Sequence, residues 1–396
     1  MPKQYFFQAG SFRDLSHAEL VSVFEIFNLN RDIIHSFSDE IFLIKSNDIS
    51  EDVLLKIFNR LGGFVRFGYV IDNLDGFLEE YIDKKSKVTF GLSIFDTSYS
   101  TQPNFLKKLG NEIKRGLREY GVSSRFLFPK RDKLSLNAAQ ILNNNILEKG
   151  FELCILKNEK EEIYGKTLAI QDMEGYVQRD VDRPYSDIKM GVLPPKLARM
   201  MVNFCALRDG VIWDPFCGSG TILMESAILG YDFLGSDIDD NALFYTDENI
   251  KWLNKQGKLG NIVYETFRLD VKNPEVDIIK KLKNTNISAI VCEPFMGPPQ
   301  KRIISVSKAN ELLDSVKSLY LSLFNFIDEK IGMRGIQMVL IIPSYKTDQG
   351  WKTFGIREVT TNRWEVLNSH YSPNRDLKWN RKNSIITRNI FILHRT

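Results

Sequence analysis

Cysteine and histidine are scarce in this chain, four of each among 396 residues. Cys154, Cys205, Cys217 and Cys292 form no CxxC pair, and His17, His35, His370 and His394 lie at no metal-ligand spacing from them. That excludes a disulfide framework, gives a zinc site or a His-based triad little support, and leaves reduced, mostly buried thiols with no metal expected. An apolar run of membrane-spanning length is also missing, and MPKQYFFQAG lacks the basic leader and apolar core of a signal peptide. A cytoplasmic protein with no membrane association is expected. The net charge of +3 is too small to require a polyanionic partner by itself.

Against this background one stretch stands out, VIWDPFCGSGTILMESAIL, Val211 to Leu229. Val211, Ile212 and Trp213 have the apolar character of a parallel strand covered on both faces. A turn begins at Asp214, and Thr221 starts a helix. Gly218 and Gly220 fall where a chain turning from strand to helix must bring its backbone against a ligand, so a small-molecule site is expected at the carboxyl edge of a doubly wound sheet. No Lys follows the second glycine, which argues against a P-loop, and GxGxxG is not matched. DPFCGSGT instead resembles the first motif of S-adenosylmethionine-dependent methyltransferases, in particular those that modify amino groups. The resemblance implies S-adenosyl-L-methionine as cofactor, its amino acid end over this turn, and Asp214, Phe216, Gly218, Gly220 and Thr221 among the residues that hold it.

The first 72 residues alternate as strand, helix, strand, strand, helix, strand, the split ferredoxin-like pattern. Within it, Ser16 to Phe27 is expected as a helix, with Ser16 and Glu19 as a capping box. Asp72 to Lys87 is polar and acidic and is expected to be a linker with a short helix. A second α/β module follows at 85–172, with a single helix expected from Leu136 to Leu147. From Asn104 to Lys133 it carries nine basic residues against three acidic ones, Arg131 and Lys133 among the nine. On the helix expected at Phe105 to Tyr120, Lys107, Lys108, Lys114, Arg115 and Arg118 lie largely away from the apolar face of Leu106, Leu109, Ile113 and Leu117. Such a stripe suits a ribose-phosphate backbone or, equally, water. Phe126 and Phe128 fit core strand positions better than base-stacking ones. A small basic module ahead of a methyltransferase domain resembles the THUMP domain of RNA-modifying enzymes.

The segment QRDVDRPYSD followed by GVLPPKLARMMVNF, just before the glycine turn, looks like the THUMP-containing tRNA guanine-N2 methyltransferases. The likeness runs over nearly the whole chain and is strong from about Gln171 to Asp239. It implies an α/β protein in which a C-terminal Rossmann-like methyltransferase domain, residues 173–396 with a mostly parallel seven-stranded sheet, follows the ferredoxin-like and THUMP-like α+β modules. By the same resemblance Met190 to Pro194, with Leu193, line the methionine end of the cofactor. Asp237, at the end of the strand Phe233 to Ile238, meets the ribose hydroxyls, with Ile238 beside it and Asp239 as a competitor. Asp270 meets the adenine amino group. The partner implied is tRNA, and whether a small activating protein subunit is needed stays open.

Amino-group methyltransferases carry (D/N)PP(Y/F) after the fourth strand for a physical reason. An aromatic amine's lone pair is delocalised into the ring, so acceptors must draw its two hydrogens and a ring must stack on the base, the stacking contributing roughly 1 to 3 kcal/mol. Here the string is Cys292, Glu293, Pro294, Phe295, Met296, Gly297. One register matches Pro294 and Phe295 to the last two letters and puts Cys292 at the acid position; the other puts Glu293 there and Met296 in place of the aromatic. The first is preferred for stacking by Phe295, with Glu293 as hydrogen acceptor, because a thiol accepts weakly. Cys292 as a nucleophile on a pyrimidine is a further reading. The basic hairpin residues Arg375, Lys378, Arg381 and Lys382 can touch nucleic acid or face water. The expected function is transfer of a methyl to the 2-amino group of a guanosine, by resemblance the tenth nucleotide of tRNA. The alternatives are an adenine amino group in RNA or DNA, or a cofactor-binding RNA-binding protein without catalysis.

Overall fold

The structure, a computed structural model, describes residues 3–82, 87–96, 103–130, 134–186, 192–373, 375–381 and 383–396. Residues 83–86 of the expected linker, Arg131 to Lys133 of the basic stretch, Met190, Gly191 and Lys382 lie outside them. The chain separates into two compact units. One comprises Met1–Arg13, Asn30–Arg60 and Phe64–Met173; the other comprises Asp14–Leu29, Leu61–Gly63 and Glu174–Thr396.

Eight strands build the first unit: β1 (Gln4–Ala9), β2 (Ile34–Ser36), β3 (Ile41–Lys45), β4 (Phe64–Ile71), β5 (Lys87–Asp96), β6 (Ser123–Leu127), β7 (Gly150–Lys157) and β8 (Glu162–Ile170). They form a single sheet in the order β2-β3-β1-β4-β8-β7-β5-β6. The strands expected in two separate modules are therefore hydrogen-bonded together, through antiparallel pairing of β4 with β8 from Arg66↔Ile170 to Ile71↔Tyr164. A buried polar group sits near this seam. Arg66 Nε donates to Glu152 Oε2 at 3.0 Å, and Thr167 donates to the same carboxylate at 2.6 Å. Arg66 also reaches Gln8 and the Leu136 carbonyl, so its charge is spread over several acceptors.

The basic helix spans Pro103–Glu119. Leu106, Ile113 and Leu117 are buried, while Lys107, Lys108, Lys114, Arg115 and Arg118 are exposed, the division its periodicity predicts. Phe126 stacks on buried Phe90 at 5.1 Å, as a core strand residue does. The helix expected at Leu136 to Leu147 is broken into Ala138–Asn143 and Ile146–Lys149. The Asn run explains the break: Asn is a weak helix former that tolerates left-handed backbone, and Asn145 has φ +48°.

The second unit carries a nine-stranded sheet made of β9 (Val211–Asp214), β10 (Asp232–Asp237), β11 (Tyr264–Arg268), β12 (Ile287–Cys292), β13 (Ile336–Thr347), β14 (Gly350–Lys352), β15 (Trp364–Val366), β16 (Lys378–Trp379) and β17 (Ile386–Arg395). Its main path is β11-β10-β9-β12-β13-β17-β15, with short β14 and β16 attached to β13 and β17. From β11 to β13 all pairs are parallel; β17 runs antiparallel to β13 and β15. The central strands β12 and β13 are nearly continuous buried runs, as strands covered on both faces are, while the edge strand β11 is mostly exposed. Strand order reverses between the neighbours β9 and β12, which makes their carboxyl ends the place for a ligand.

Residues Asp14–Leu29, most of the helix Arg13–Ile26, belong to this unit. The capping box expected at Ser16 and Glu19 is not formed: the helix starts three residues earlier and both side chains are buried. Ser16 Oγ donates to the Gly63 carbonyl at 2.8 Å. Glu19 accepts from the Gly62 and Gly63 amides at 2.7 and 2.8 Å and from Asn203 Nδ2 at 2.7 Å. The S-x-x-E spacing that marks an N-terminus here answers a tertiary demand instead. Close by, Glu225 lies between two buried arginines, Arg179 and Arg199, each donating through Nε at 2.6 Å.

Candidate active site

The turn after β9 takes its shape from glycine. Gly218 has φ +52° and Gly220 φ +79°, both left-handed, and a Cβ on Gly220 would lie 2.9 Å from Thr246 Oγ1. Two side chains of the helix after β10, Asp240–Lys255, fix the carbonyls of the turn. Thr246 Oγ1 donates to the Gly218 carbonyl at 2.9 Å, and Asn249 Nδ2 to the Ser219 carbonyl at 2.8 Å. Asn249 also binds the Tyr185 backbone in both directions, at 3.1 and 2.9 Å. Periodicity shows neither role, since both residues read as ordinary polar helix positions.

Around this turn opens a cavity of about 950 Å³. Its wall includes Leu193, Asp214, Phe216, Gly218, Thr221, Asp237, Ile238, Asp270, Glu293, Pro294 and Phe295. Eleven of the fourteen sequence-derived site residues therefore share one wall. Pro194, Gly220 and Cys292 are not on it. Pro194 caps the helix Pro195–Asn203, and Gly220 is the left-handed N-cap of the helix Thr221–Ile228. Cys292 is fully buried in the core under the sheet, and burial, with Asp214 and Glu293 nearby, holds its thiol well above the usual range.

The acidic residues differ in how they are held. Asp214 is buried at the end of β9 and accepts from the Phe216 amide at 3.0 Å. Burial pushes its carboxyl well above the usual range against that hydrogen bond, and Asp237 and Glu293 add to the push. Asp237 ends β10 and accepts from the Gly218 and Asp239 amides at 3.0 and 3.1 Å. Burial raises its carboxyl as well, opposed by these amides. Asp239 caps the next helix by accepting from the Asn241 amide at 2.9 Å and is exposed. Asp270 follows β11; burial would raise its carboxyl, but the Asn273 side chain and the amides of Lys272 and Asn273 outweigh that and lower it.

Across the cavity, Glu293 follows β12, and Arg388 Nε donates to its Oε1 at 2.6 Å. Arg388 is set by the pairing of β17 with β13, where it lies opposite Pro343. Asn389 ties the same two strands, donating to the Ile342 carbonyl at 2.9 Å and to Ser344 Oγ at 2.7 Å. Tyr345 on β13 donates to the Met296 carbonyl, and Gly297 is left-handed at φ +83° with Tyr345 where its Cβ would be. The EPFMG turn is thus held from β13 and β17, and it leaves Phe295 44% exposed at the cavity. Arg388, Tyr345 and Asn389 were not foreseen; only the sheet order brings them to this turn. Among the described residues no group of three or more His, Cys, Asp or Glu is disposed to hold a metal ion.

Residues 183–281 match the family described as RMKL-like, methyltransferase domain. The chain is similar to the tRNA (guanine(10)-N2)-dimethyltransferase of Methanocaldococcus jannaschii, at 25% identity over 78% of this chain and 85% of the relative. It is 32% identical to the enzyme of the same name from Methanothermobacter thermautotrophicus, over 43% of this chain and 52% of that one. The crystal structure of TrmN from Thermus thermophilus shares the fold, with a TM-score of 0.56 over 99% of this chain and 100% of that chain at 15% identity. The stretch that carries the likeness to an RMKL-like methyltransferase domain, residues 183–281, includes the glycine turn, Asp237 and Asp270 of the cavity wall.

Proposed function

We propose that this protein transfers a methyl group from S-adenosyl-L-methionine to the exocyclic 2-amino group of a guanosine, guanosine 10 of tRNA. The observation that carries this reading is Glu293, held by Arg388 beside Phe295, on the same cavity wall as the glycine turn and Asp237. The tRNA and the position come from the similarity to tRNA (guanine(10)-N2)-dimethyltransferases.

The residues fit the cofactor. A Cβ at Gly220 would crowd the turn, Asp237 presents a carboxylate at a strand end to diol hydroxyls, and Asp214 and Asp237 suit a ligand carrying cationic groups. When bound, S-adenosylmethionine supplies an electrophilic methyl group on a sulfonium. Leu193 and Phe216 exclude water from the methionine end, and Asp270 accepts from the adenine amino group. Glu293 accepts a hydrogen of the guanine amine, drawing its nitrogen toward tetrahedral geometry, and takes up its proton as the new bond forms. Phe295 stacks on the base, which is turned out of the RNA as base-modifying enzymes require.

In the first unit, the exposed cations of the Pro103–Glu119 helix hold phosphates, and residues 85–172 serve as a THUMP-like RNA-binding module beside the ferredoxin-like strands of residues 1–72. The protein works in the cytoplasm; none of its described helices is long and apolar enough to cross a membrane. The test is transfer of labelled methyl to an unmodified tRNA transcript, beside the same transcript with guanosine 10 changed to adenosine. Transfer lost only in the second establishes enzyme, substrate and site; transfer to both discards the site, and transfer to neither, with cofactor binding confirmed, points to a missing activating subunit first and to a cofactor-binding protein without catalysis next.

A further inference from the structure

Two side chains on the cavity wall, Glu293 and Arg388, are bonded to each other at one end and free at the other. The bond from Arg388 Nε to Glu293 Oε1 is the one hydrogen bond that either side chain makes among the described residues. Glu293 Oε2 and Arg388 Nη1 and Nη2 are left without a protein partner, and none of the three is enclosed by protein, so they are open to the cavity. The arginine is held in place from its own strand, where it pairs with Pro343 of β13 beside the anchored Asn389.

These free atoms come in an order that a base can match. The two oxygens of the carboxylate stand side by side, and the guanidinium bonded to Oε1 carries its remaining donors beyond it, so the pair offers acceptor, acceptor, donor. The Watson–Crick edge of guanine offers the complement: the 2-amino donor, the N1–H donor and the O6 acceptor. Adenine would set the lone pair of its ring N1 against a carboxylate oxygen and has no oxygen for the arginine. The charges of the pair cancel, which suits the polar edge of a neutral base better than a phosphate. Phe295, exposed on the same wall, supplies the flat face on which such a base stacks.

We propose that Arg388 reads the target base directly, donating through its terminal nitrogens to O6 of guanine while Glu293 accepts from N1–H and the 2-amino group. This rests on guanosine being the base that is methylated. Arg388 is then a specificity-determining residue as well as the support of Glu293, and the two roles can be separated. Support of Glu293 acts on transfer to any 2-amino group, whereas reading of O6 acts only on a base that carries that oxygen.

The test compares kcat/KM on tRNA carrying guanosine or 2-aminopurine riboside at position 10. Both bases have the 2-amino group; 2-aminopurine lacks O6 and the N1 proton. The wild-type chain prefers guanosine by at least about 100-fold, the scale of two lost hydrogen bonds to charged groups. In Arg388→Met transfer to guanosine slows and the preference falls by at least about tenfold, the share of the bond to O6. Arg388→Lys, a point charge in place of the fork, keeps part of the preference. Cofactor titration and thermal melting establish that both variants are folded. A preference unchanged in both variants, each slower on both bases alike, overturns the reading of O6 and leaves Arg388 as the support of Glu293. An unchanged preference with KM raised equally on both RNAs overturns it in favour of a phosphate contact. Wild-type transfer to 2-aminopurine as fast as to guanosine overturns base reading by the pair while keeping guanosine as a substrate. Transfer to adenosine at position 10 and none to guanosine overturns the proposed function and this inference together.

Discussion

Arg388 Nε and Glu293 Oε1 are 2.6 Å apart, although 95 residues separate them in the chain. Their side chains are 17% and 13% exposed, so the pair is largely withdrawn from water. It occupies one carboxylate oxygen and leaves the other for an amine. Arg388→Ala is expected to lower kcat by about 100-fold, the scale on which a preorganised polar contact acts, with cofactor affinity nearly unchanged; Arg388→Lys keeps the charge but not the geometry and falls between. Glu293→Ala should abolish transfer. Single-turnover methylation with parallel cofactor titration checks all three, and normal turnover by Glu293→Ala would remove the catalytic assignment.

Cofactor binding should release protons. Burial holds the Asp214 and Asp237 carboxyls above their usual range, so part of each stays protonated at a pH where a free carboxylate would not. A cationic ligand favours the ionised forms and expels those protons, so affinity rises with pH across this range. Calorimetry in buffers of different ionisation enthalpy measures the release, and Asp237→Asn should diminish it.

Gly220→Ala tests the turn. Left-handed backbone costs a residue with a Cβ roughly 1 to 2 kcal/mol, and here the new methyl also meets Thr246. Expected are a lower Tm and weakened cofactor binding. Pairing it with Thr246→Ala removes both the oxygen and the methyl that the new Cβ meets, at the loss of the hydrogen bond to the Gly218 carbonyl, so the double variant should not add the two single losses.

Stability should fall as pH rises from about 4.5 to about 7. Burial raises the Glu19 carboxyl from 4.5 to about 7, against the amides of Gly62 and Gly63 and the Asn203 side chain. In that window the folded chain holds a proton that the unfolded chain has lost, so folding binds protons and each step up in pH weakens it. The contribution is full below about 4.5 and gone above about 7. Thermal melts from pH 5 to 8 on the wild-type chain and on Glu19→Gln read it directly; the variant should show a flatter Tm profile.

Reversing charge at Lys107, Lys108, Lys114 and Arg115 should weaken tRNA binding without touching cofactor affinity. The slope of log K against log salt should fall by about one for each phosphate that the variant no longer neutralises. Filter binding across a salt series checks this. An unchanged slope would make the helix an ordinary solvated face.

The glycine turn, Asp237 and Asp270 were legible in the sequence because strand-turn-helix periodicity fixes where a strand ends, and the ligand edge of a doubly wound sheet follows from that. Whether Cys292 or Glu293 stands at the acid position after β12 was not settled by spacing, since the setting of the EPFMG turn depends on contacts from β13 and β17. Arg388 was out of reach for the same reason: only the antiparallel return of the last strand brings it to Glu293. Thr246 and Asn249 are polar residues of a helix, and nothing in their spacing marks them as buried against the glycine turn. Ser16 and Glu19 misled, because a capping box and a buried tertiary clamp share one spacing. Arg183 belongs to QRDVDRPYSD, yet nothing in that string marks it as buried.

The placement of residues 14–29 has a consequence for how the molecule is made. Glu19 precedes Asn203 by 184 residues, and Glu25 precedes its partner Tyr371 by 346. A ribosome delivers this helix long before the strands and helices it packs with, so its apolar side chains wait through most of synthesis. The unit therefore cannot be completed strand by strand as it emerges: the contacts of this helix with Asn203 and Tyr371 can form only once those residues have been made. Until then the nascent chain presents a sticky segment that chaperones must shield.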